Sequence, residues 1–273
     1  MNRITLSLTA LSAFVASSVN VALAQDLPKT QPKLLTITRE AVKVGRAAEH
    51  AKHEAGWPAA YEKAKSPDYY LALTSLTGPN EAWYIAPAES YAALGESMKR
   101  EDKDPVLSAE LARLSLADAE YISSVKNMQA QARADLSAGE FPDLAKARFF
   151  AITVYRLKPG HDEEFEAVLK SVASARLRVA PKLGFRVYRV AAGMPSGTYL
   201  IISSVEKYED FDAMAAALPA TVKALTPEEQ QARLKFQAEG VISSEMNRYK
   251  VDPGQSYVSK ETRATDPEFW SAK

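Results

Sequence analysis

The chain has 273 residues, 34 Lys and Arg against 34 Asp and Glu, and no cysteine. Balanced charge with no basic block gives no reason to expect nucleic acid or an anionic membrane surface as partner. Without thiols a disulfide framework, a thiolate zinc site and a cysteine nucleophile are excluded, so the core alone must hold the fold together.

Met1-Asn2-Arg3 precedes an apolar stretch that runs to Val21 and ends in Ala22-Leu23-Ala24. A charged start, an apolar run and a small-x-small site read as a signal peptide over residues 1–24. An uncleaved anchor helix is the rival reading. The expected protein is periplasmic or secreted, with no membrane insertion after cleavage, because no later segment is apolar for long enough. Residues 25–33, with two prolines, read as a loose leader.

Residues 34–39 then read as a strand, 46–65 as a helix and 69–75 as a second strand. A turn at 77–80 and a third strand at 81–86 follow. Helical segments are expected at 90–99 and 106–116, and a final strand at 122–132. Gly139 and Pro142 mark 138–146 as a linker. The order then begins again. Residues 149–157 are apolar and β-branched, and Lys158-Pro159-Gly160 is a turn. Asp162-Glu163-Glu164 suits a helix's first turn. Phe165, Val168, Leu169 and Val172 give that helix one apolar stripe. Strands at 185–191 and 198–204, helical segments at 208–218 and 228–238, and a strand at 241–250 complete the second unit. The tail, 251–273, is polar and expected at the surface, with Phe269 and Trp270 as candidate docking groups.

The two units also echo in sequence. Leu35-Thr36-Ile37-Thr38 followed by Lys43-Val44-Gly45 returns as Phe150-Ala151-Ile152-Thr153 followed by Lys158-Pro159-Gly160, an offset of 115 (160 − 45). Ala119-Glu120-Tyr121-Ile122-Ser123-Ser124 returns as Ala238-Glu239-Gly240-Val241-Ile242-Ser243-Ser244. Each unit reads β-α-β-β-α-β, the ferredoxin-like order, over 34–137 and 148–250. The Ile-Thr strand, the Lys158–His161 turn, the Gly-containing hairpin and the Glu-x-Tyr helix opening at Glu89 and Glu206 give the chain its resemblance to the dimeric α/β-barrel superfamily in tandem-repeat form. That resemblance implies an α+β fold in which two half-barrels close intramolecularly as a pseudo-dimer. Its members include monooxygenase-like, haem-degrading and uncharacterised secreted bacterial proteins. The physics agrees, because a sheet with helices on one face must bury the other.

The sharpest local anomaly is the first helix. At the offset of 115, His50, His53, Glu54 and Trp57 stand where the second unit has Phe165, Val168, Leu169 and Val172. Arg46, His50, His53, Trp57 and Tyr61 share one helical face. The second unit is therefore expected to be structural. The first is expected to enclose a polar-aromatic cleft bound by His50, His53, Trp57 and Tyr61, with Trp83 reaching it from the third strand. The cleft suggests a small-molecule partner. A histidine there could serve as acid or base, or as an axial ligand should haem be the cofactor. No metal is assigned, because two histidines lack a third ligand. The plainer reading has both histidines bonded to neighbours and Trp57 filling core. Three functions remain open: a small-molecule-binding protein, a monooxygenase-like or haem-modifying enzyme, and an assembly module without a ligand.

Overall fold

The computed structural model describes residues 26–271. The signal-peptide expectation, at 1–24, lies outside the described residues. Eight strands close into one antiparallel barrel in the order β1-β3-β2-β8-β5-β7-β6-β4. In the first half β1 is Leu34–Val42, β2 Leu71–Ser75, β3 Glu81–Ala88 and β4 Ile122–Ala132. In the second, β5 is Phe149–Leu157, β6 Arg186–Ala192, β7 Thr198–Val205 and β8 Val241–Val251. Each half has the sheet order 4-1-3-2 of a ferredoxin-like unit, and β2–β8 and β4–β6 are the two seams.

The registers of the halves match. Ile37 faces Ile85 and Met128, while Ile152 faces Ile202 and Asn247. The offsets are 115 (152 − 37), 117 (202 − 85) and 119 (247 − 128). The register shift at Ala41/Val42 recurs at Arg156/Leu157, again 115 positions on (156 − 41).

Strand alternation sorts the side chains. Leu35, Ile37, Leu73, Trp83, Met128, Phe150, Ile152, Leu200 and Tyr249 fill the barrel as one core. Near Trp83, Arg39 gives Glu81 a two-pronged hydrogen bond of 2.8 and 2.7 Å, and the indole donates to the same carboxylate at 3.1 Å. The opposite sheet faces carry helices. Over the first half lie α1 (Ala47–Glu54), α2 (Gly56–Ala64), α3 (Tyr91–Lys103) and α4 (Pro105–Asp118). Over the second lie α5 (Asp162–Val179), α6 (Asp210–Lys223) and α7 (Pro227–Glu239). Among the described residues no helix is long and apolar enough to cross a membrane.

Two expectations are corrected here. The single helix over 46–65 is two helices, because Pro58 has no amide hydrogen for the Glu54 carbonyl four residues back, and α1 ends at Glu54. The leader, expected to be loose, is packed, and the tail, expected at the surface, is partly buried. Asp26 accepts from Ser259 Oγ at 2.5 Å and Thr262 Oγ1 at 2.6 Å. Tyr257 is buried and exchanges two backbone hydrogen bonds with Tyr70, at 2.8 and 3.1 Å. Beyond it lie α8 (Lys260–Thr265) and α9 (Pro267–Trp270). Trp270 is buried and donates to the Ala145 carbonyl at 3.1 Å, and Arg148 lies 3.7 Å above the Phe269 ring.

Candidate functional site

The site lies between the outer face of the first half-sheet and its helices. On β1 the residues in step with Ile37 point into the barrel, so Thr36, Thr38 and Glu40 point out toward α1 and α2. On β3, Tyr84 and Ala86 do the same. From above come Glu54 at the end of α1 and Trp57 and Tyr61 of α2, with Tyr70 beside them. These nine side chains line a cavity of about 200 Å³.

Behind the flank of the cavity formed by Glu40 and Glu54 runs a row of five ionisable groups. His50 Nε2 lies 2.9 Å from Glu40 Oε2, and His53 Nε2 lies 2.7 Å from Asp118 Oδ1. His53 Nε2 is also 3.1 Å from the Leu114 carbonyl. A carbonyl can only accept, so that nitrogen carries the hydrogen. Glu54 sits between the pairs, its Oε1 3.9 Å from Nε2 of each histidine. His50 and Glu54 are each only 2 % exposed. Burial, with the Glu40 and Asp118 carboxylates close by, pushes the Glu54 carboxyl up to about 9, so it stays protonated at neutral pH. Burial likewise pushes the Tyr70 and Tyr84 phenols well above their ordinary value.

Three buried polar atoms of cavity-lining residues find no hydrogen-bond partner among the described residues: Glu54 Oε1, Trp57 Nε1 and Tyr70 OH. Such a group costs about 1–3 kcal/mol when left unsatisfied, so three around one small cavity mark a place that expects polar company. The other two phenols are engaged: Tyr61 donates to Glu101 at 3.1 Å and Tyr84 to Gln255 at 2.9 Å.

The sequence-expected residues divide. Trp57 and Tyr61 line the cleft. His50 and His53 stand behind it, held by Glu40 and Asp118. Trp83 does not reach it. It is fully buried in the barrel core, on the far face of β3, and its neighbour Tyr84 is the ring that faces the helices. Adjacent strand residues face opposite ways, so the expectation was one position out of phase.

Sequence reasoning also left Glu40, Glu54, Tyr70, Tyr84 and Asp118 out of the site. For Glu54 the signal was present, since it follows His50 by four residues and shares its face. For Glu40 and Tyr84 it was strand parity counted from Ile37 and Trp83. Asp118 comes from α4 and has no local signal. In the second half the apolar stripe of α5 does not fill the layer between helices and sheet, which holds a cavity of about 420 Å³.

Glu40, His50 and Glu54 present donor atoms within 4.8 Å of one another, as do His53, Glu54 and Asp118. A divalent cation in either trio would replace the histidine–carboxylate hydrogen bond of that trio. Haem does not fit this row, because the adjoining cavity of about 200 Å³ is smaller than the roughly 300 Å³ of ordinary small-molecule pockets and His50 is buried.

No protein-family model and no curated protein matches the sequence. Solved structures do match. A putative monooxygenase from Fusobacterium nucleatum subsp. nucleatum superposes with a TM-score of 0.53 at 9 % identity, over 80 % of this chain and 91 % of that one. An anthrone oxidase-like protein gives 0.50 at 13 %, over 81 % and 92 %. The fold is a pseudo-dimeric α/β barrel. A chlorite dismutase variant from Candidatus Nitrospira defluvii gives 0.49 at 10 %, over 82 % and 94 %. At such identities the likeness of this barrel to the others is one of fold.

Proposed function

We propose that this is an exported small-molecule-binding protein whose ligand is a single-ring hydroxylated arene, held in the cleft of the first half. The observation that carries the reading is that Glu54 Oε1, Trp57 Nε1 and Tyr70 OH, all buried and unpartnered among the described residues, belong to residues lining one aromatic-walled cavity. A ring with one or two oxygens would fill the space and satisfy those atoms. The cavity, about 200 Å³, lies below the usual range for drug-sized ligands, about 300–1,000 Å³, so the ligand is small.

Monooxygenase-like chemistry on the same ligand is the second reading. Glu54 favours it, as a carboxyl held neutral beside two imidazoles and suited to moving a proton to or from a ligand hydroxyl. The two fold relatives, a putative monooxygenase and an anthrone oxidase-like protein, are compatible with it at the level of fold alone.

Titrating catechol and hydroquinone by calorimetry and tryptophan fluorescence tests the binding reading. Saturable binding is expected. Trp57→Phe and Glu54→Gln are each expected to weaken it about tenfold, the worth of one buried hydrogen bond of about 1–2 kcal/mol. Binding is expected to survive a chelator, whereas loss on chelation would move the site to the donor row. Oxygen uptake with hydroquinone, abolished in Glu54→Gln, would add the enzyme. If neither catechol nor hydroquinone binds and no uptake is found, the reading fails.

A further inference from the structure

The second half holds a cavity that the reading above does not use. Its floor is the outer face of the second half-sheet, with Tyr155 and Ile201 among its residues, and its roof is α5, α6 and α7. The apolar stripe of α5, from Phe165 to Val172, runs along one wall. At the surface, Leu218 and Met246 form an apolar rim that is more than half exposed.

The charges in this cavity are all of one sign. Arg176, Arg233 and Arg248 line it, and no Asp or Glu does. The side-chain hydrogen bonds of Arg233 and Arg248 go to neutral groups, Gln237 at 3.0 Å and Tyr208 at 3.3 Å. Arg176 is 8 % exposed and has no side-chain partner among the described residues, its Nε included. Burial alone, with no carboxylate to oppose it, holds its guanidinium below the usual arginine range. A buried cation without a counter-charge costs several kcal/mol. A solvent-facing arginine would escape that cost, and a structural one would have an acid beside it. Arg176 has no acid beside it, its Nε is enclosed and unpartnered, and an apolar chamber opens beside it. A planar guanidinium fork matches a carboxylate in two-pronged geometry.

We infer that this cavity is a second ligand site, taking an apolar monocarboxylate, with the carboxylate on Arg176 and the hydrocarbon along the α5 stripe. Arg233 and Arg248 add long-range attraction for the anion. The walls reward chain length and give an uncharged analogue only the hydrophobic part of the affinity. The site is in the other half of the barrel from the polar cleft and shares no residue with it.

Calorimetric titration of the purified protein with decanoate and with 1-decanol tests this. Decanoate is expected to bind at least tenfold more tightly than decanol. Arg176→Met should abolish that preference without lowering Tm, since it removes a buried charge rather than a contact. Val172→Trp should block both ligands by occupying the chamber, and it serves as the test if the arginine variant does not fold. Trp57→Phe should leave decanoate binding unchanged, which separates this site from the polar cleft. Equal affinity for acid and alcohol, no binding of either, or a decanoate affinity unmoved in the arginine variant would each overturn the inference.

Discussion

Glu54 is the residue whose environment most opposes its ordinary charge. Groups from every packed element face it: Glu40 from β1, His50 and His53 from α1, Asp118 from α4, and Tyr84 from β3. Its carboxyl titrates near 4.5 in an unfolded chain and near 9 in the fold. Between those values the unfolded state sheds the proton and the folded state keeps it. Stability from this group is therefore whole below about pH 4.5 and falls as pH rises toward 9. Glu54→Gln in chelated protein removes that slope. It should match the parent at pH 4 and exceed it by on the order of 2–4 kcal/mol at pH 8 in urea unfolding. A difference that does not change with pH would show that Glu54 is ionised in the fold.

At the scale of elements, parity and helix breaks decide which groups meet. On β3, Ala82, Tyr84 and Ala86 face the helices while Trp83 and Ile85 face the barrel. Trp83→Ala should therefore cost about 3–5 kcal/mol of stability. It should leave catechol affinity within twofold of the parent, whereas Trp57→Phe reverses the pattern, with little loss of stability and much loss of affinity. The break between α1 and α2 matters in the same way. Pro58 ends α1 at Glu54, and Gly56 permits close approach to α4, since a Cβ there would stand 2.7 Å from Leu114 Cδ2. The break thus turns Trp57 and Tyr61 over the cleft while His53 reaches back to Asp118.

For the whole molecule the seams carry the fold. Each half-sheet has a helix-free apolar face, and closing the barrel hides both at once. The hairpins between β2 and β3 and between β6 and β7 each place a glycine of positive φ against the other half, Gly78 beside Asn247 and Gly193 against the Asn127 carbonyl. They are again 115 apart (193 − 78). Gly193→Ala forces a left-handed φ costing about 1–2 kcal/mol and drives a methyl into backbone that cannot move aside. Gly78→Ala meets a side chain that can turn away. The expected result in urea unfolding is a clearly larger loss for Gly193→Ala. Equal losses would mean that the β4–β6 seam yields.

Local chemistry was enough for much of this protein. The alternation of Ile37 and Ile152 with polar neighbours, the Lys-Pro-Gly turn and the helix stripe of α5 are near-neighbour patterns, and they set the element order and the pairing of two like halves. The same patterns singled out the first helix as the odd one. Tertiary structure alone decided the rest. It brought Asp118 from 65 positions away to His53, put Trp83 on the wrong side of its strand for the cleft, drew the leader and tail into the core, and left Arg176 buried without an acid. Those outcomes depend on which faces meet across space and on what burial does to charge. Neither is fixed by spacing along the chain.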